Sequence, residues 1–297
     1  MNAAHAADTD AATTAKALSN IEPAIGRLAP PLAEDVTQSL AQQKVTLKYD
    51  IYAGGMHALK AFYHVSETST AYQTSLKAMT KGMIGKVFPW TGEFETMGTR
   101  YNQAYTPIQH QANSKWKKKI KKTELSFDET GRLQQRVYEK YKRPAVIQTE
   151  FKEGVTDNAH DMMSGIMSLM QQAGINKKCA GNTDIVDGKR KFNIALKDEG
   201  VEMLKKTKHN VFSGPALKCT IEVTPVAGYR EKDKNRGWMA VQNHSKERNK
   251  MPTIWLGRLE NKQIVPVRME INSSYGTVIA HLSRITMPAK TVKAAAK

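Results

Sequence analysis

Val45-Thr46-Leu47-Lys48-Tyr49-Asp50-Ile51-Tyr52, followed by Ala53-Gly54-Gly55, decides the fold. Val45, Leu47, Tyr49 and Ile51 alternate with Thr46, Lys48, Asp50 and Tyr52. Successive side chains of a strand leave opposite faces, so this is the period of a strand with one buried and one wetted face. Gly54-Gly55 supplies a turn at positive φ without steric cost. Residues 58–66 then resume as a second strand.

Working outward toward the C-terminus, the same period predicts strands over 72–79, 92–101, 108–113, 116–127 and 133–141. Asp128-Glu129-Thr130-Gly131 forms a turn, and a turn-rich connection covers 81–90. Further strands are predicted over 189–196, 201–208, 217–223, 253–259, 264–271 and 276–285. Asp187-Gly188 marks a hairpin after 183–186. Residues 230–250 are polar and charged, and read as an exposed loop. One helix interrupts the strands, near 157–173. Thr156 or Asp157 caps its start, Gly174 ends it, and Met162, Met163, Ile166, Met167, Leu169 and Met170 give it a broad apolar face. In the other direction, 33–42 read as a short helix. The domain organisation is therefore a disordered or extended lead over 1–32, a β-barrel-like domain over 33–286 and a flexible tail over 287–297. The expected class is mainly β: a single curved antiparallel sheet, spiral or half-barrel, wrapped around one apolar helix.

Composition excludes some functions and leaves others open. Hydrophobic residues make up 40% of the 297, enough for a packed core. No apolar run of roughly 18 residues is present, so no helix spans a bilayer. Forty-five Lys and Arg against 28 Asp and Glu give a net charge of +17, which favours encounter with nucleic acid, anionic lipid or acidic polymers. Ala4-His5-Ala6 has the small-x-small form of a signal-peptidase site, without the charged and apolar regions that precede one. The expectation is a periplasmic protein whose signal peptide has been removed. The two cysteines, Cys179 and Cys219, pair as one disulfide in an exported protein and stay buried thiols in a cytosolic one.

Chemistry is sparse. The most basic run is Ser114-Lys115-Trp116-Lys117-Lys118-Lys119-Ile120-Lys121-Lys122. As a phosphate-tracking patch it uses Lys117, Lys118, Lys119, Lys121 and Lys122 around an aromatic ring. On one continuous strand those lysines divide between two faces, and lysine also guards strands against edge association. Met162, Met163, Ile166, Met167 and Met170, with Trp90, are the candidate ligand-facing residues of a curved sheet that leaves room beside its helix; ordinary core packing is the competing reading. Among the eight histidines no zinc-type spacing occurs. No GxSxG, P-loop or GxGxxG is present. His160-Asp161 reads as helix-cap chemistry, and Glu93 with Glu95 as surface carboxylates on one strand face. No catalytic residue, metal or cofactor is expected.

Five segments in order carry a family resemblance. They are Tyr49–Met56 ending in Gly-Gly, residues 81–94 with Pro89-Trp90, Cys179 with 186–192, residues 214–229 with Cys219, and 265–268 followed by Tyr275-Gly276-Thr277. Together they resemble the exported bacterial domain of unknown function 3108. The resemblance implies an envelope location, an all-β scaffold similar to lipoprotein carriers, and paired cysteines as an ordinary feature. It implies no catalytic residues. Cys219, Ile221 and Val223 share a strand face, which places the implied Cys179–Cys219 bridge on the inner side.

Three functions follow as expectations. The first is a non-enzymatic periplasmic protein binding a hydrophobic or amphipathic envelope component, such as a lipid, an acyl chain or a cell-wall precursor. The second is a filled structural protein docking an acidic partner, such as anionic lipid, lipopolysaccharide or peptidoglycan, through its basic surface. The third, a cytosolic nucleic-acid binder, is the least favoured.

Overall fold

The structure is a computed structural model and describes residues 44–102, 104–233, 237–273 and 276–287. The lead over 1–32, the helix expected over 33–42 and all but the first residue of the tail over 287–297 lie outside these.

Alternation runs the length of the chain and is realised as one antiparallel sheet. The first half is a meander: β1 (Lys44–Ala53), β2 (Met56–Glu67), β3 (Ala71–Thr80), β4 (Trp90–Tyr101), β5 (Ala104–Trp116), β6 (Lys119–Phe127), β7 (Leu133–Lys140) and β8 (Val146–Gln148). The second half is β9 (Gly181–Val186), β10 (Lys191–Leu204), β11 (Gly214–Ala227), β12 (Thr253–Arg258), β13 (Ile264–Ser273) and β14 (Gly276–Thr286). The last strand returns to the first, Leu47 opposite Ile285 and Ile51 opposite Ala280. The order is thus β8-β7-β6-β5-β4-β3-β2-β1-β14-β13-β12-β11-β10-β9, fourteen strands without closure.

So many strands cannot stay flat, because each is rotated by roughly 20–25° against its neighbour. The sheet curls until its two ends overlap. Leu125, Phe127 and Leu133 of β6 and β7 pack with Val186 of β9 and with Val155 and Ala159 of the connecting segment. The result is a spiral, as the alternation predicted. In β1 the odd-numbered Val45, Leu47 and Tyr49 are buried, and the intervening Thr46, Lys48 and Asp50 are half-buried on the other face.

Among the described residues three α-helices accompany the sheet: α1 (Gly82–Val87), α2 (Met162–Asn176) and α3 (Trp238–Glu247). Helix α2 is the expected apolar helix, shifted toward the C-terminus. Its N-cap is Asp161, not the expected Thr156 or Asp157; the Asp161 side chain accepts from the backbone N–H of Met163 and Ser164, and Lys177 in the left-handed region ends the helix. Gly174 is instead an internal close contact, because a Cβ there would stand 2.6 Å from Ile264 Cγ1.

Three expectations are corrected. The turn-rich connection over 81–90 contains α1. The strands expected over 189–196 and 201–208 are one strand, β10, whose pairing with β11 shifts between Asp198 and Val201. Residues 230–250 are not all loop, since α3 lies there. Its inward face is polar, which hid it: Gln242 accepts from Val223 N–H at 2.6 Å and donates to Val223 O at 2.8 Å, and Ser245 Oγ donates to Asn272 O at 3.2 Å. Buried polar groups satisfied by backbone cost little, so a helix face can be buried without being apolar.

Candidate functional site

The concave side of the sheet and α2 do not fill the space between them. A cavity of about 470 Å³ remains, within the range typical of small-molecule sites. Tyr49, Ile51, Ala61, Tyr63 and Leu76 of β1–β3 form one wall. Met162, Met163, Ile166, Leu169 and Met170 of α2 form the second. Ile194, Leu196, Ile221 and Val223 of β10 and β11, Trp238 and Met239 of α3, and Ile254, Leu256, Met269 and Ala280 of β12–β14 close the remaining sides. The strand residues point inward because they occupy alternate positions, and the helix residues because α2 is apolar over more than one stripe.

Polar groups are few. Arg190 and Asp187 line the cavity from the β9–β10 turn, where Arg190 Nη2 donates to Asp187 Oδ2 at 2.6 Å. Arg268 also contributes to the lining; its guanidinium lies 4.5 Å from the Trp255 ring centre and donates to Glu270 at 2.9 Å. In the wall, Tyr49 donates its hydroxyl hydrogen to Pro266 O at 2.8 Å. Burial pushes the Tyr49 and Tyr63 hydroxyls well above the ordinary tyrosine range, so both stay neutral donors at any physiological pH. This is an apolar container with a few charges, of which Asp187 and Arg190 pair with each other.

Of the residues expected to face a ligand, Met162, Met163, Ile166 and Met170 line this cavity. Met167 does not. It turns to a second hollow of about 40 Å³ beside Val45, Leu47 and Val65. Trp90 lines neither; it packs at the edge of the core, and its backbone N–H donates to Thr80 Oγ1 at 2.9 Å. The strand and α3 residues of the lining were not singled out by sequence, because a side chain facing a cavity and one facing packed core follow the same period.

What positions α2 is a buried polar network. Asp161 and Ser164 are fully buried. Asp161 Oδ1 accepts from Thr96 Oγ1 at 2.7 Å and from His110 Nδ1 at 3.1 Å, while Oδ2 accepts from Ser164 Oγ. Ser164 Oγ in turn lies 2.6 Å from Tyr72 Oη. Ser, His and Asp are all present, yet the serine bonds to Asp161 and Tyr72, not to the histidine, and solvent does not reach it. A serine with no exposed surface cannot be reached by a substrate, whatever accepts its proton. The network is an anchor between β3, β4, β5 and α2. His160-Asp161 is cap chemistry, as the sequence indicated.

The two sulfurs are joined. Cys179, just beyond α2, is bonded to Cys219 of β11, both buried on the inner side, 40 residues apart. The bridge fixes the C-terminal side of α2 to the second meander.

The basic run lies elsewhere. Lys117 and Lys118 form the two-residue β5–β6 turn, so the run is a hairpin tip and not one strand with divided faces. Lys117, Lys118, Lys119, Lys121 and Lys122 are all exposed. The Lys117 and Lys119 ammonium groups lie 5.9 and 5.8 Å from the Trp116 ring centre, and Lys122 pairs with Glu139 at 3.2 Å. Glu93 pairs with Lys77 at 2.5 Å and Glu95 accepts from Gln73 at 2.7 Å, so both are surface carboxylates. Among the described residues no group of three or more His, Cys, Asp or Glu is arranged to hold a metal ion, and no helix is long and apolar enough to cross a membrane.

Comparison with known proteins gives the family. No curated protein matches the chain. Among solved structures, a β-barrel-like protein of domain of unknown function DUF1849 from Brucella abortus is similar, with 8% identity, 84% of this chain and 100% of that chain covered, and a TM-score of 0.46. The family described as protein of unknown function DUF3108 matches residues 48–283, from the first strand of the sheet to the last, and the chain belongs to that family.

Proposed function

We propose that this protein is a non-enzymatic carrier or sensor of the bacterial periplasm, which holds a hydrophobic or amphipathic envelope component inside its spiral sheet. The observation that carries the reading is the apolar cavity of about 470 Å³ between the sheet and α2. Dry apolar hollows weaken a fold unless something fills them, because their lining atoms forgo dispersion contacts. A lipid acyl chain or the lipid part of a cell-wall precursor suits a carbon-lined space with Arg190 and Arg268 among its few polar groups. The buried Cys179–Cys219 bridge supports an oxidising compartment, where such ligands occur and where nucleic acid does not.

The test is titration of delipidated protein with a fluorescent fatty acyl probe. Saturable binding with one site per chain is expected. Ile166→Trp and Ala280→Phe, which put bulk into the lining, each weaken it at least tenfold. Absence of saturable binding to the folded, delipidated chain rejects the reading.

A further inference from the structure

A different set of residues carries a second function. In an antiparallel meander, alternate connections fall at the same end of the sheet. The β1–β2 turn, the α1 segment between β3 and β4, the β5–β6 turn and the β7–β8 turn therefore form one rim. They touch in series: Lys81 N–H donates to Ala58 O at 2.8 Å, Lys117 N–H to Pro89 O at 3.1 Å and Tyr141 N–H to Ile120 O at 2.8 Å.

This rim exposes large apolar side chains. Met83 is 70% exposed, Phe88 57% and Trp116 46%, and Met56, Val87 and Tyr141 are exposed with them. The same segments are strongly basic. Residues 53–58, 81–90, 113–122 and 140–148 contain Lys81, Lys86, the lysines of the basic run, Lys140, Lys142 and Arg143, and not one aspartate or glutamate. Lys142 lies 5.6 Å from the Tyr141 ring centre, as Lys117 and Lys119 lie over Trp116. Solubility alone calls for mixed charges and few exposed aromatics. Carbon, aromatic rings and a large excess of lysine, with Glu139 beside Lys122 just outside these segments, match a lipid interface, where apolar groups enter the headgroup layer and ammonium groups meet phosphates.

We infer that this rim docks the protein on an anionic bilayer surface, with Met83, Phe88 and Trp116 inserted at the level of the headgroups and the surrounding lysines bound to lipid phosphates. The inference stands apart from the cavity. It also gives the cavity a geometry. The β9–β10 turn with Asp187 and Arg190, and α3, lie at this same end of the strands, since Lys191 pairs with Ala227 there and Ala53 with Val278. A docked molecule presents the polar part of its cavity lining toward the lipid.

Co-sedimentation of the full chain with vesicles tests this. Vesicles of phosphatidylcholine with about one third phosphatidylglycerol are expected to bind it, vesicles of phosphatidylcholine alone to bind it much more weakly, and added salt to release it. One lysine near an anionic surface is worth roughly fivefold. The Lys86→Gln, Lys118→Gln, Lys142→Gln triple variant therefore loses about a hundredfold. Met83→Ser with Phe88→Ser loses at least about tenfold and leaves a weaker, more salt-sensitive interaction. All five positions are exposed, and an unchanged melting temperature and circular dichroism certify the variants. Equal binding to both vesicle types, unchanged binding by either variant, or failure to bind vesicles by protein that still captures short DNA overturns the inference; the last outcome marks a general polyanion surface. Rim variants that keep acyl-probe binding, and lining variants that keep vesicle binding, separate the two readings, so either can fail alone.

Discussion

Asp161 decides where the helix sits. A carboxylate with no exposed surface is unfavourable by burial alone, which pushes its pKa up. The hydrogen bond and charge of His110, with the hydroxyls of Ser164 and Thr96, outweigh burial and hold it below the usual value. Asp161 is therefore ionised and consumed by its partners. Replacing it by Ala takes the acceptor from the Met163 and Ser164 N–H groups and from the Ser164 hydroxyl, and leaves Thr96 Oγ1 and His110 Nδ1 only each other, 2.8 Å apart. The expected loss is about 3–5 kcal/mol in urea unfolding, the range for breaking a buried pair. Asp161→Asn keeps one acceptor oxygen and loses about 1–3 kcal/mol. An alanine variant within about 0.5 kcal/mol of the parent removes the network from this role. Half of this residue's role was legible in the chain: a small acid ahead of an apolar run marks a cap. Its other half, Thr96 and His110, belongs to strands far away in the chain, and no local pattern connects them.

Among the elements, α2 is held by closeness as much as by polarity. A Cβ on Gly165 would stand 2.7 Å from Ile185 Cγ1 of β9. Alanine is the better helix former by about 1 kcal/mol, so Gly165→Ala stabilises an isolated helix. Here it must push Ile185 out of place, and overpacking costs about 1–3 kcal/mol. The net expectation is a lower melting temperature; a rise shows that β9 yields freely at this contact. The bridge acts on the same helix from its other end. Closing a loop of 40 residues restrains the unfolded chain by about 4 kcal/mol as an upper figure. Reduction, or Cys179→Ala with Cys219→Ala, is expected to lower the melting temperature by about 10 °C in calorimetry, and a shift under about 2 °C contradicts that mechanism. Legibility at this scale follows burial. The strands and α2 bury carbon, so period and composition reveal them. Helix α3 buries Gln242 and Ser245 and satisfies them on neighbouring backbone, which no hydrophobic pattern records. Likewise β10 was divided in two because Lys197-Asp198-Glu199-Gly200 is polar, although its pairing with β11 merely shifts there.

At the scale of the molecule, one curved sheet around an apolar helix was legible because alternation carries its own topology: consecutive strands with short links pair with their neighbours. That β14 returns to β1, and that the sheet overlaps itself without closing, was not, since edge pairing depends on accumulated twist. The curl also half-buries histidines in different parts of the sheet, and this has a consequence for stability. Burial lowers the pKa of His64, with Lys44 adding to it. Burial outweighs the pull of Asp161 and Asp184 on His160. Burial also lowers that of His281, with Arg268 and His209 adding to it. In the unfolded chain these histidines titrate near about 6.5. Between that value and their lower folded values the unfolded state binds more protons, so stability is full above about pH 6.5 and falls as the pH drops below it. Asp161 and Asp50, both lowered, act in the same direction but only as the pH falls below the ordinary carboxylate range, about 4. Glu67, raised by burial, acts oppositely: its contribution is present at low pH and is lost as the pH rises through its elevated folded value, so it offsets part of the fall. Protonation also adds to a net charge already at +17, which sharpens the decline through self-repulsion. Urea midpoints should therefore be level from pH 8 to 7 and fall between pH 6.5 and 5. His160→Gln, which keeps a hydrogen-bonding group opposite Thr183, should flatten part of that fall. A midpoint that stays constant down to pH 5 means that the folded sheet takes up these protons as readily as the unfolded chain, and that partial burial does not disfavour the charged imidazoles.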